Sequence, residues 1–594
     1  MGVLSLTLLK LHIYVLFELI FLTTVAYGLE PIINVEIPAT ARLRSSIPAS
    51  PLDRNLVSWS IQGRDFPAFA QTDLLKNFFS VLSAKVGTGQ ILRLGGAESD
   101  KTTYSQYTNI TAKQFQSGYY GPNWRNVTLG PNYFKSFKGR YATGTKFIWC
   151  LNLRDTTNQF EAAISTAGAV LEHFGDELEY FEIGNEVDFY RTKGYRDTDW
   201  SAEKMFPQWT YIADKVQEIN PSKNIHFTAG GFANAAIDVS GDFDVPGVIK
   251  AGFKGARIPW YNMHLYPQSG CGGRPVSMAN LLNHDTLFSN VTSYIPQVLA
   301  AEAVGAQFVI GESNSVSCSG RPGVSDTFAA ALWMVDYALL SASIGIRRVF
   351  FHTTTKAPYS AIIPKNYRKD ASKYSAGFLP LAYGAYFVSE IIASNDNLLV
   401  QPIDGSSGTD YSSYSLWDES NNLRKIVFIN LEIYNSTTGA TSAATDNSPV
   451  YVSNAPRGST RVNISTPWAA GEQLSLIRLQ APGSNSKSMV NVSDFTFSNT
   501  NGLPNRNVLD EIIKVQDGGL VVFDILASEA VLVQHYREAS QNPHPTSTIP
   551  PFSTSTGDQV ASTTSTKGPT SNSSRLVCSP FMVISILLFW SLLL

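Results

Sequence analysis

Between about Ser46 and Ala393, the chain of 594 residues alternates short apolar runs with helical stretches, and this alternation restricts its possible folds more than any other feature. Eight runs are mostly apolar on both faces, as strands of a parallel sheet covered by helices must be. They are Leu56–Ile61, Ile91–Leu94, Lys146–Leu153, Tyr180–Ile183, His226–Ala229, Tyr261–Tyr266, Phe308–Ile310 and Arg348–His352. Eight β-then-α units predict a (β/α)8 TIM barrel over residues 46–393. A doubly wound open sheet is the structural alternative.

Two of the helical stretches have clear boundaries. Apolar residues recur at helical spacing from Phe206 to Ile219, and Asn220-Pro221 ends the pattern because proline cannot continue a helix. A second helix is predicted from Ser325, as N-cap, to Gly345, as C-cap. This helix is apolar nearly all round, so we expect it to be buried.

After residue 393 the helical pattern stops, and alternating strands separated by Gly, Asn, Ser and Pro follow as far as residue 538. Examples are Lys425–Asn430, Val450–Val452, Leu474–Leu479 and Leu520–Leu526. This pattern of alternating strands separated by turn residues predicts an antiparallel β-sandwich over residues 394–538. We expect the N-terminal segment, residues 29–45, to pair with that domain through Ile32–Ile37.

Two of the predicted barrel strands end in a glutamate. The fourth run continues as Ile183-Gly-Asn-Glu186 and the seventh as Ile310-Gly-Glu312. The C-terminal strand ends form the active-site face of a (β/α)8 barrel. Glycoside hydrolysis needs one carboxyl group to protonate the leaving oxygen and another to attack the anomeric carbon or activate water. Either glutamate alone also fits a capped strand end or a surface ion pair, but the two together favour the catalytic interpretation.

Three further side chains are predicted to support this pair. His264 and Tyr266 end the sixth run, next to the seventh in a barrel, and a period of two puts both on one face. We expect Tyr266 to donate a hydrogen bond to Glu312 and lower its pKa. Arg93, an inward charge on the second run, is expected to satisfy carboxylates near the pair. The alternatives are a rim aromatic for Tyr266 and a structurally satisfied histidine for His264.

These motifs resemble those of glycoside hydrolase family 79, the heparanase-like β-glucuronidases within a larger clan of (β/α)8 glycosidases. The resemblance lies in Arg93-Leu-Gly-Gly96, Gly184-Asn-Glu186, Gly311-Glu312, Ser325-Asp-Thr-Phe-Ala-Ala330 and Ile344-Gly-Ile-Arg-Arg-Val-Phe-Phe351. The Asn-Glu and Gly-Glu pair marks only the clan, whereas the stretch from Glu312 to Phe351 points to the family. A trailing β-domain is also the family's architecture.

The resemblance implies a retaining β-glucuronidase of exo or endo action, without metal or cofactor. It assigns the acid/base to Glu186, the nucleophile to Glu312 and binding of the sugar 2-hydroxyl to Asn185. In related enzymes, a loop after the nucleophile holds the glucuronate carboxylate through a tyrosine and backbone amides. Here Ser317 stands where that tyrosine is expected. The amides from Cys318 through Ser319 to Gly320 are predicted to form an anion-binding nest.

Cysteine positions predict one disulfide. Cys271 lies in the loop after the sixth predicted strand and Cys318 in the loop after the seventh, so both are on the catalytic rim. Cys150 lies within the third run and is predicted to be a buried free thiol. The alternative is three unpaired thiols.

The N-terminal segment predicts export. Lys10 precedes an apolar run, Leu11–Val25, and small residues follow it, which is typical of a signal peptide cleaved after residue 28. A membrane anchor is the alternative. Sequons at Asn109, Asn126, Asn290, Asn435, Asn463 and Asn491 are candidate glycosylation sites.

The C-terminal segment predicts attachment to the cell surface. Residues 539–572 are rich in Ser, Thr and Pro and indicate an O-glycosylated stalk. Residues 573–594 combine a short spacer with an apolar tail, which indicates a GPI signal with attachment at Ser571 or Asn572. A conventional tail anchor is the alternative. We therefore expect a plasma-membrane or cell-wall protein whose lipid partner is the outer leaflet, with Cys578 removed along with the tail.

The net charge bears on which class of molecule the protein binds. A formal net charge of −3 gives no basic footprint for nucleic acid. The expected partner is a glycan bearing uronic acid. Two other functions fit the same residues: a cell-wall β-glycosidase or transglycosylase with another sugar specificity, and a non-catalytic surface glycan-binding protein.

Overall fold

A computed structural model describes residues 31–38, 40, 51–109, 112–116, 125–233, 242–367, 374–393, 397–405, 407–441, 451–509 and 511–536. All of these residues fall within one compact unit. The predicted signal peptide, stalk, GPI signal and attachment site lie outside the described residues. Within the described ranges, no helix is long and apolar enough to cross a membrane.

Eight parallel strands form a closed barrel, with each strand hydrogen-bonded to the next in chain order. In order, the barrel strands are Val57–Ile61, Ile91–Leu94, Lys146–Leu151, Leu178–Ile183, Phe227–Phe232, Trp260–Leu265, Gln307–Ser313 and Val349–Thr353. Each of the eight predicted runs forms one of these strands, and most strand residues are buried on both faces. The predicted TIM-barrel fold is therefore confirmed, and the open sheet is wrong because the eighth strand pairs with the first.

The α-helices surround the barrel or lie in its connecting loops. They are Phe66–Ala70, Asp73–Val86, Pro131–Lys135, Glu161–Phe174, Ala202–Ile219, Val245–Ala251, Met278–Leu281, His284–Thr292, Ile295–Ala303, Phe328–Ser343 and Pro380–Ile392. An insertion between the second and third barrel strands carries a small sheet made of Thr102–Tyr104, Ala112–Gln116 and Arg125–Leu129.

The predicted caps of the buried helix are wrong by one or two residues. Phe328–Ser343 is preceded by Thr327 and followed by Ile344. Ser325 does not cap this helix, because its hydroxyl accepts a hydrogen bond from the Arg321 amide at 2.9 Å. The helix is buried along almost its whole length, as its composition predicts.

The C-terminal domain consists of two main β-sheets. The larger contains Leu399–Pro402, Tyr411–Trp417, Leu423–Asn430, Glu529–His535, Gln473–Gln480, Asn491–Val492 and Glu511–Lys514, and the smaller contains Ile32–Glu36, Ser459–Ser465 and Leu520–Leu526. Thr496–Phe497 and Pro504–Arg506 form a separate two-stranded ribbon. Val35, Phe428 and Phe523 share the core between the two sheets. The predicted strand Val450–Val452 is wrong for Tyr451 and Val452, which lie in a loop.

Buried polar contacts join the barrel to the β-domain. Tyr414, on a strand of the larger sheet, donates its hydroxyl to Asp336 Oδ1 at 2.5 Å, and His284 Nδ1 lies 2.8 Å from the other oxygen. Lys425 Nζ donates to carbonyl groups at the end of helix Pro380–Ile392, including that of Ile391 at 2.7 Å. These contacts satisfy buried polar groups, so the helices behind the seventh and eighth strands are fixed against the β-domain.

Candidate active site

Glu186 and Glu312 meet at the C-terminal mouth of the barrel. Glu312 lies near the end of the seventh strand, and Glu186 follows the fourth. An oxygen of each carboxylate lies within 4.8 Å of the other. Retaining glycosidases hold their two carboxyl groups about 5–5.5 Å apart, whereas inverting enzymes separate them by about 6.5–9.5 Å. The separation therefore fits a nucleophile and an acid/base.

The turn that carries Glu186 is held by its backbone. Gly184 has a φ of 85°, and a Cβ there would lie 2.6 Å from the Val187 side chain, so only glycine fits. Glu186 has a φ of 50°, an uncommon conformation for a residue with a side chain. Its N–H donates to the carbonyl of Gly231 on the fifth strand at 2.7 Å. This bond helps to hold Glu186 in a backbone conformation that would otherwise be costly.

Both oxygens of Glu312 have a donor. Tyr266 donates its hydroxyl to Oε1 at 2.8 Å, and Arg93 Nη1 donates to Oε2 at 2.8 Å. Burial alone would raise the pKa of Glu312, but the nearby His352 and His264 imidazoles, the Arg93 charge and the Tyr266 bond hold it well below the ordinary value. Glu312 is therefore an oriented anion, as a nucleophile must be.

Arg93 connects the nucleophile to the residues that surround it. It is 1% exposed and donates to Glu182 through Nε and Nη2, to Asn185 Oδ1 at 2.8 Å and to Ser60 Oγ at 3.2 Å. This bond directs the Asn185 side-chain oxygen toward Arg93. Arg93 thus orients Asn185 as well as Glu312.

Glu182 is a functional residue that the sequence analysis missed. It is buried in the fourth strand, binds Arg93 and accepts a hydrogen bond from Asn262 Nδ2 at 3.0 Å. The sequence did contain a signal for it, because Glu182, like Arg93 in the second strand, is a charged residue inside an apolar strand. Two opposite charges in buried strands are expected to pair, because neither is stable alone.

Glu186 stands between two nitrogen groups. His264 Nδ1 lies 3.5 Å from Oε1, at the outer limit of a hydrogen bond, and Lys193 Nζ lies 3.4 Å from Oε2. Burial and the charge of Glu312 raise the pKa of Glu186, whereas His264 and Lys193 lower it, and the net direction is down. The pKa of Glu186 therefore depends on the charge of Glu312.

His352 was also missed. It lies one residue before the end of the eighth strand, with Nδ1 2.9 Å from Ser60 Oγ and 3.7 Å from Glu312 Oε2. Ser60 Oγ also accepts from Arg93 Nη1 at 3.2 Å, so Arg93, Ser60 and His352 form a chain of contacts beside Glu312. Burial lowers the pKa of His352, whereas the charge of Glu312 raises it, and the net direction is down.

The loop after the nucleophile is fastened to the loop after the sixth strand. Cys271 and Cys318 form a disulfide, and the Ser317 amide donates to the Gln268 carbonyl at 2.9 Å. Ser317 also donates its hydroxyl to Ser269 Oγ at 3.0 Å. These links hold the segment that follows Ser317 in a fixed shape. Cys150 is a buried free thiol.

Three consecutive residues of this loop have left-handed backbone conformations. The φ values are 58° at Cys318, 73° at Ser319 and 81° at Gly320. Among the residues that the structure describes, none accepts a hydrogen bond from these three amides. A Cβ at Gly320 would lie 2.9 Å from the Tyr359 nitrogen, so glycine is required there. Successive amides of this kind form an anion-binding concavity.

Tyr359, from the loop after the eighth strand, supplies a phenol beside this concavity and was not predicted. Its hydroxyl interacts with the Ser319 side chain, and burial and the charge of Glu312 raise its pKa. The tyrosine expected at Ser317 is absent, but a phenol from another part of the sequence lies next to the same loop. Sequence spacing gave no signal for this contact.

The predicted glycosylation sites lie in different surroundings. Asn109 is exposed, whereas Asn126, Asn290, Asn435, Asn463 and Asn491 are half-buried. The Asn463 amide donates to Asn34 on the adjacent strand at 3.0 Å, so a glycan there would displace a native contact. All six remain predictions.

Glu186, His264 and Glu312 also form the one cluster of possible metal ligands among the described residues. Arg93 and Lys193 already place positive charge against the two carboxylates. The two carboxylates are therefore already paired with positively charged side chains of the protein, and they have the arrangement of an acid/base pair.

The chain is similar to known proteins over most of its length. Residues 413–532 match the glycosyl hydrolase family 79 C-terminal beta domain. A β-glucuronidase of Neurospora crassa is 27% identical over 479 residues, covering 74% of this chain and 83% of the relative. A β-glucuronidase of Aspergillus niger is 25% identical over 518 residues, covering 82% and 91%.

Two solved structures share the fold. A 4-O-α-L-rhamnosyl-β-D-glucuronidase from Fusarium oxysporum superposes with a TM-score of 0.66 at 22% identity, covering 84% of this chain and all of that one. A GH51 arabinofuranosidase from Xanthomonas axonopodis pv. citri gives a TM-score of 0.51 at 12% identity, covering 83% and 99%. At these identities the likeness establishes the architecture.

Proposed function

The chain belongs to glycoside hydrolase family 79, and we propose that this glycoside hydrolase is a β-glucuronidase that cleaves uronic-acid-bearing glycans with retention of configuration. The observation that carries the proposal is the pair Glu186 and Glu312 at one barrel mouth, with oxygens within 4.8 Å. The names of the two curated relatives support the choice of sugar.

In the first step, Glu312 attacks the anomeric carbon while Glu186 gives its proton to the glycosidic oxygen. The bond between that carbon and that oxygen breaks, and a covalent glycosyl-enzyme forms. The charge of Glu312 is neutralised by this bond. Since that charge had raised the pKa of Glu186, its loss lowers the pKa further.

In the second step, Glu186 is therefore a base. It takes a proton from water, the water oxygen attacks the anomeric carbon, and Glu312 leaves as a carboxylate. Arg93 and Tyr266 hold the same oxygens of Glu312 before and after the cycle, so the leaving carboxylate returns to stabilised positions. The same two glutamates thus serve both half-reactions.

Binding of the glucuronate carboxylate is assigned to the loop after the nucleophile. The amides of Cys318, Ser319 and Gly320 donate to no described residue, and Tyr359 adds a hydroxyl beside them. Backbone amides recognise an anion without a cationic side chain, and the disulfide keeps them oriented before substrate arrives. This arrangement supports uronate specificity despite serine at position 317.

An aryl glycoside panel tests the function. The purified ectodomain is expected to release aryl alcohol from a β-glucuronide and to leave the β-glucoside and β-xyloside nearly intact. Preference for glucoside or xyloside would replace the proposal with a β-glycosidase or transglycosylase of other specificity. Binding of these compounds without turnover of any would favour the non-catalytic glycan-binding protein.

We also propose that the enzyme acts outside the cell, attached to the surface by a GPI anchor. The disulfide between Cys271 and Cys318 supports an oxidising compartment, since such bonds are rare in the cytosol. The apolar N-terminal run, the Ser/Thr/Pro-rich segment and the apolar tail agree with that location.

A further inference from the structure

A buried aspartate that the mechanism does not use contacts the turn that carries Glu186. Asp100 belongs to a short helical turn, Ser99–Lys101, in the loop after the second barrel strand. The residue is 3% exposed. A carboxylate removed from water is costly unless protein donors replace the water, so the groups that bind Asp100 indicate what it does there.

Each carboxylate oxygen of Asp100 accepts a hydrogen bond from a backbone amide of another loop. The Leu153 amide, after the third strand, donates to Oδ1 at 3.2 Å, and the Asn185 amide, after the fourth strand, donates to Oδ2 at 3.4 Å. Burial raises the pKa of Asp100 to about 6, although the Tyr190 hydroxyl and the two amides lower it. At neutral pH Asp100 is therefore an anion, and hydrogen bonds to an anion are stronger than those between neutral groups.

The loop that carries Asp100 is itself fixed to the loop after the third strand. Arg154 Nη1 donates to the backbone carbonyl of Asp100 at 3.2 Å. Two residues further on, the Thr102 carbonyl accepts from Asn152 Nδ2 at 3.0 Å. The Asp100 carboxylate is therefore a fixed point against which the turn after the fourth strand can be held.

Three consecutive amides of that turn are held by three different elements. The Gly184 N–H donates to a carbonyl of the third strand at 2.9 Å, and the Glu186 N–H donates to a carbonyl of the fifth strand at 2.7 Å. The Asn185 N–H, between them, donates to Asp100. Asp100 is the acceptor that is a side chain, so a substitution can remove it and leave the backbone of the barrel strands unchanged.

The turn depends on such support because of the conformation of Glu186. Its φ of 50° is uncommon for a residue with a side chain and persists only where the surroundings hold it. The Asn185 residue directly precedes it along the chain. Loss of the bond to Asp100 therefore allows the backbone of Glu186 to relax, and its carboxyl group then moves relative to Glu312.

We propose that Asp100 is a positioning residue for Glu186: it fixes the Asn185 amide and thereby directs the Glu186 carboxyl group at the glycosidic oxygen. The inference rests on the proposed function, in which Glu186 is the acid/base. It extends that function by assigning a part in the protonation step to a buried residue outside the catalytic pair. Asp100 acts through the backbone of the turn, so the transferred proton does not pass through it.

Two substrates that differ in their need for an acid test this role. Phenyl β-glucuronide requires protonation of its leaving oxygen, whereas the leaving group of 2,4-dinitrophenyl β-glucuronide is stable enough to depart without it. For each enzyme, kcat/KM on the phenyl substrate is divided by kcat/KM on the dinitrophenyl substrate. A merely structural role, including displacement of the Asn185 side chain, lowers both values in the same proportion and leaves the ratio unchanged.

Asp100→Ser removes both carboxylate oxygens. Misplacement of about 1 Å costs roughly 100-fold in rate, and we expect a smaller shift from a turn that keeps its other two amide bonds, so the ratio should fall about tenfold below that of wild type. Asp100→Asn should lower the ratio by about threefold, since one neutral oxygen replaces two charged ones.

Asp53→Asn is the matched control. Asp53 also accepts a backbone amide, that of Asn55 at 2.8 Å, and pairs with Arg348 at 2.9 Å. It precedes the first barrel strand and so lies at the opposite end of the barrel from Glu186. The ratio in this variant should equal that of wild type.

An unchanged ratio in Asp100→Ser overturns the proposal, and so does an equal fall in Asp53→Asn. If Asp100→Ser does not fold, as judged by its thermal unfolding, an unchanged ratio in Asp100→Asn overturns it instead. If wild type hydrolyses neither glucuronide, the sugar specificity has failed, and the same two phenols are joined to the sugar that the aryl glycoside panel identifies. If wild type hydrolyses no glycoside of that panel, Glu186 is not an acid/base and the inference falls with the proposed function.

Discussion

Replacing Glu182 by glutamine tests whether the buried Arg93 network, rather than the two catalytic glutamates alone, makes the site work. Glu182→Gln keeps the shape of the side chain and removes its charge. In the variant, the glutamine carbonyl oxygen can still accept a hydrogen bond from Arg93. The glutamine NH2 group, however, faces guanidinium N–H groups that are donors themselves. Glu312, at 2.8 Å, remains as a counter-ion, so Arg93 is not left wholly unpaired.

Two magnitudes follow. Removing one partner of a buried ion pair costs about 3–5 kcal/mol, and the remaining contact with Glu312 places this variant near the lower value, about 3 kcal/mol of unfolding free energy. Arg93 Nη2 holds both Glu182 Oε1 at 2.5 Å and Asn185 Oδ1 at 2.8 Å. A displaced guanidinium therefore moves Asn185, and misplacement of about 1 Å costs roughly 100-fold in rate.

The assays are urea unfolding and steady-state hydrolysis of an aryl glucuronide. Glu218→Gln is the matched control, because Glu218 is 63% exposed and pairs with Lys215 at the surface. A surface substitution usually changes the free energy of unfolding by no more than about 0.5 kcal/mol. If the free energy of unfolding of Glu182→Gln lies within that range of wild type, and its kcat/KM stays within about threefold, the network does not have the inferred role.

Four other results are expected. Glu312→Ala should lose several orders of magnitude in rate and regain turnover with azide, giving a product of inverted configuration. Glu186→Ala should still cleave glycosides with very acidic leaving groups, because these need no protonation. Wild-type activity in Glu312→Ala would contradict the assignment. Asp336 raises the pKa of His284 above its ordinary value although burial opposes this, so the stabilisation from this pair should be full below about pH 6.5 and be lost as pH rises through the folded-state pKa; a melting-temperature profile with the same pH dependence in His284→Asn would refute it. Cys318→Ser should raise KM for a glucuronide by loosening the amides from Cys318 to Gly320, while Cys150→Ser, which lies outside the loop, should not; equal KM values, or recovery of Cys271 and Cys318 as separately alkylated peptides, would end that account. Phosphatidylinositol-specific phospholipase C should release the protein from cells. If the lipase releases a control GPI-anchored protein but not this one, a spanning tail would be favoured.

The barrel and the positions of Glu186 and Glu312 at its mouth were accessible from the sequence because both follow from local pattern. A buried parallel strand must be apolar, and a glutamate at its C-terminal end must face the mouth, so Glu186 and Glu312 could be located without knowing the loops. Tyr266 was found in the same way. The residues missed were those whose roles depend on contacts across the barrel.

Tyr359 shows why those residues were missed. It comes from the loop after the eighth strand, and nothing in its neighbours along the chain reveals that it lies beside Ser319. His352 and Ser60 are also joined only by strand register, since they are opposite each other on the eighth and first strands. Glu182 was within reach, because a charge inside an apolar strand requires a buried partner.

The strand Ile32–Glu36 has a consequence for how the protein is made. It is synthesised before the barrel, yet its sheet partner is Ser459–Ser465, and the side chains of Asn34 and Asn463 that meet there are 429 residues apart in sequence. At a ribosomal rate of about 5–20 residues per second, this strand waits roughly 20–90 seconds for its partner to emerge. During that time it is an unpaired edge, open to association with other chains. The β-domain therefore completes its smaller sheet with a strand that is translated before the barrel, so a nascent chain interrupted after the barrel would carry an unsatisfied strand for quality control to recognise.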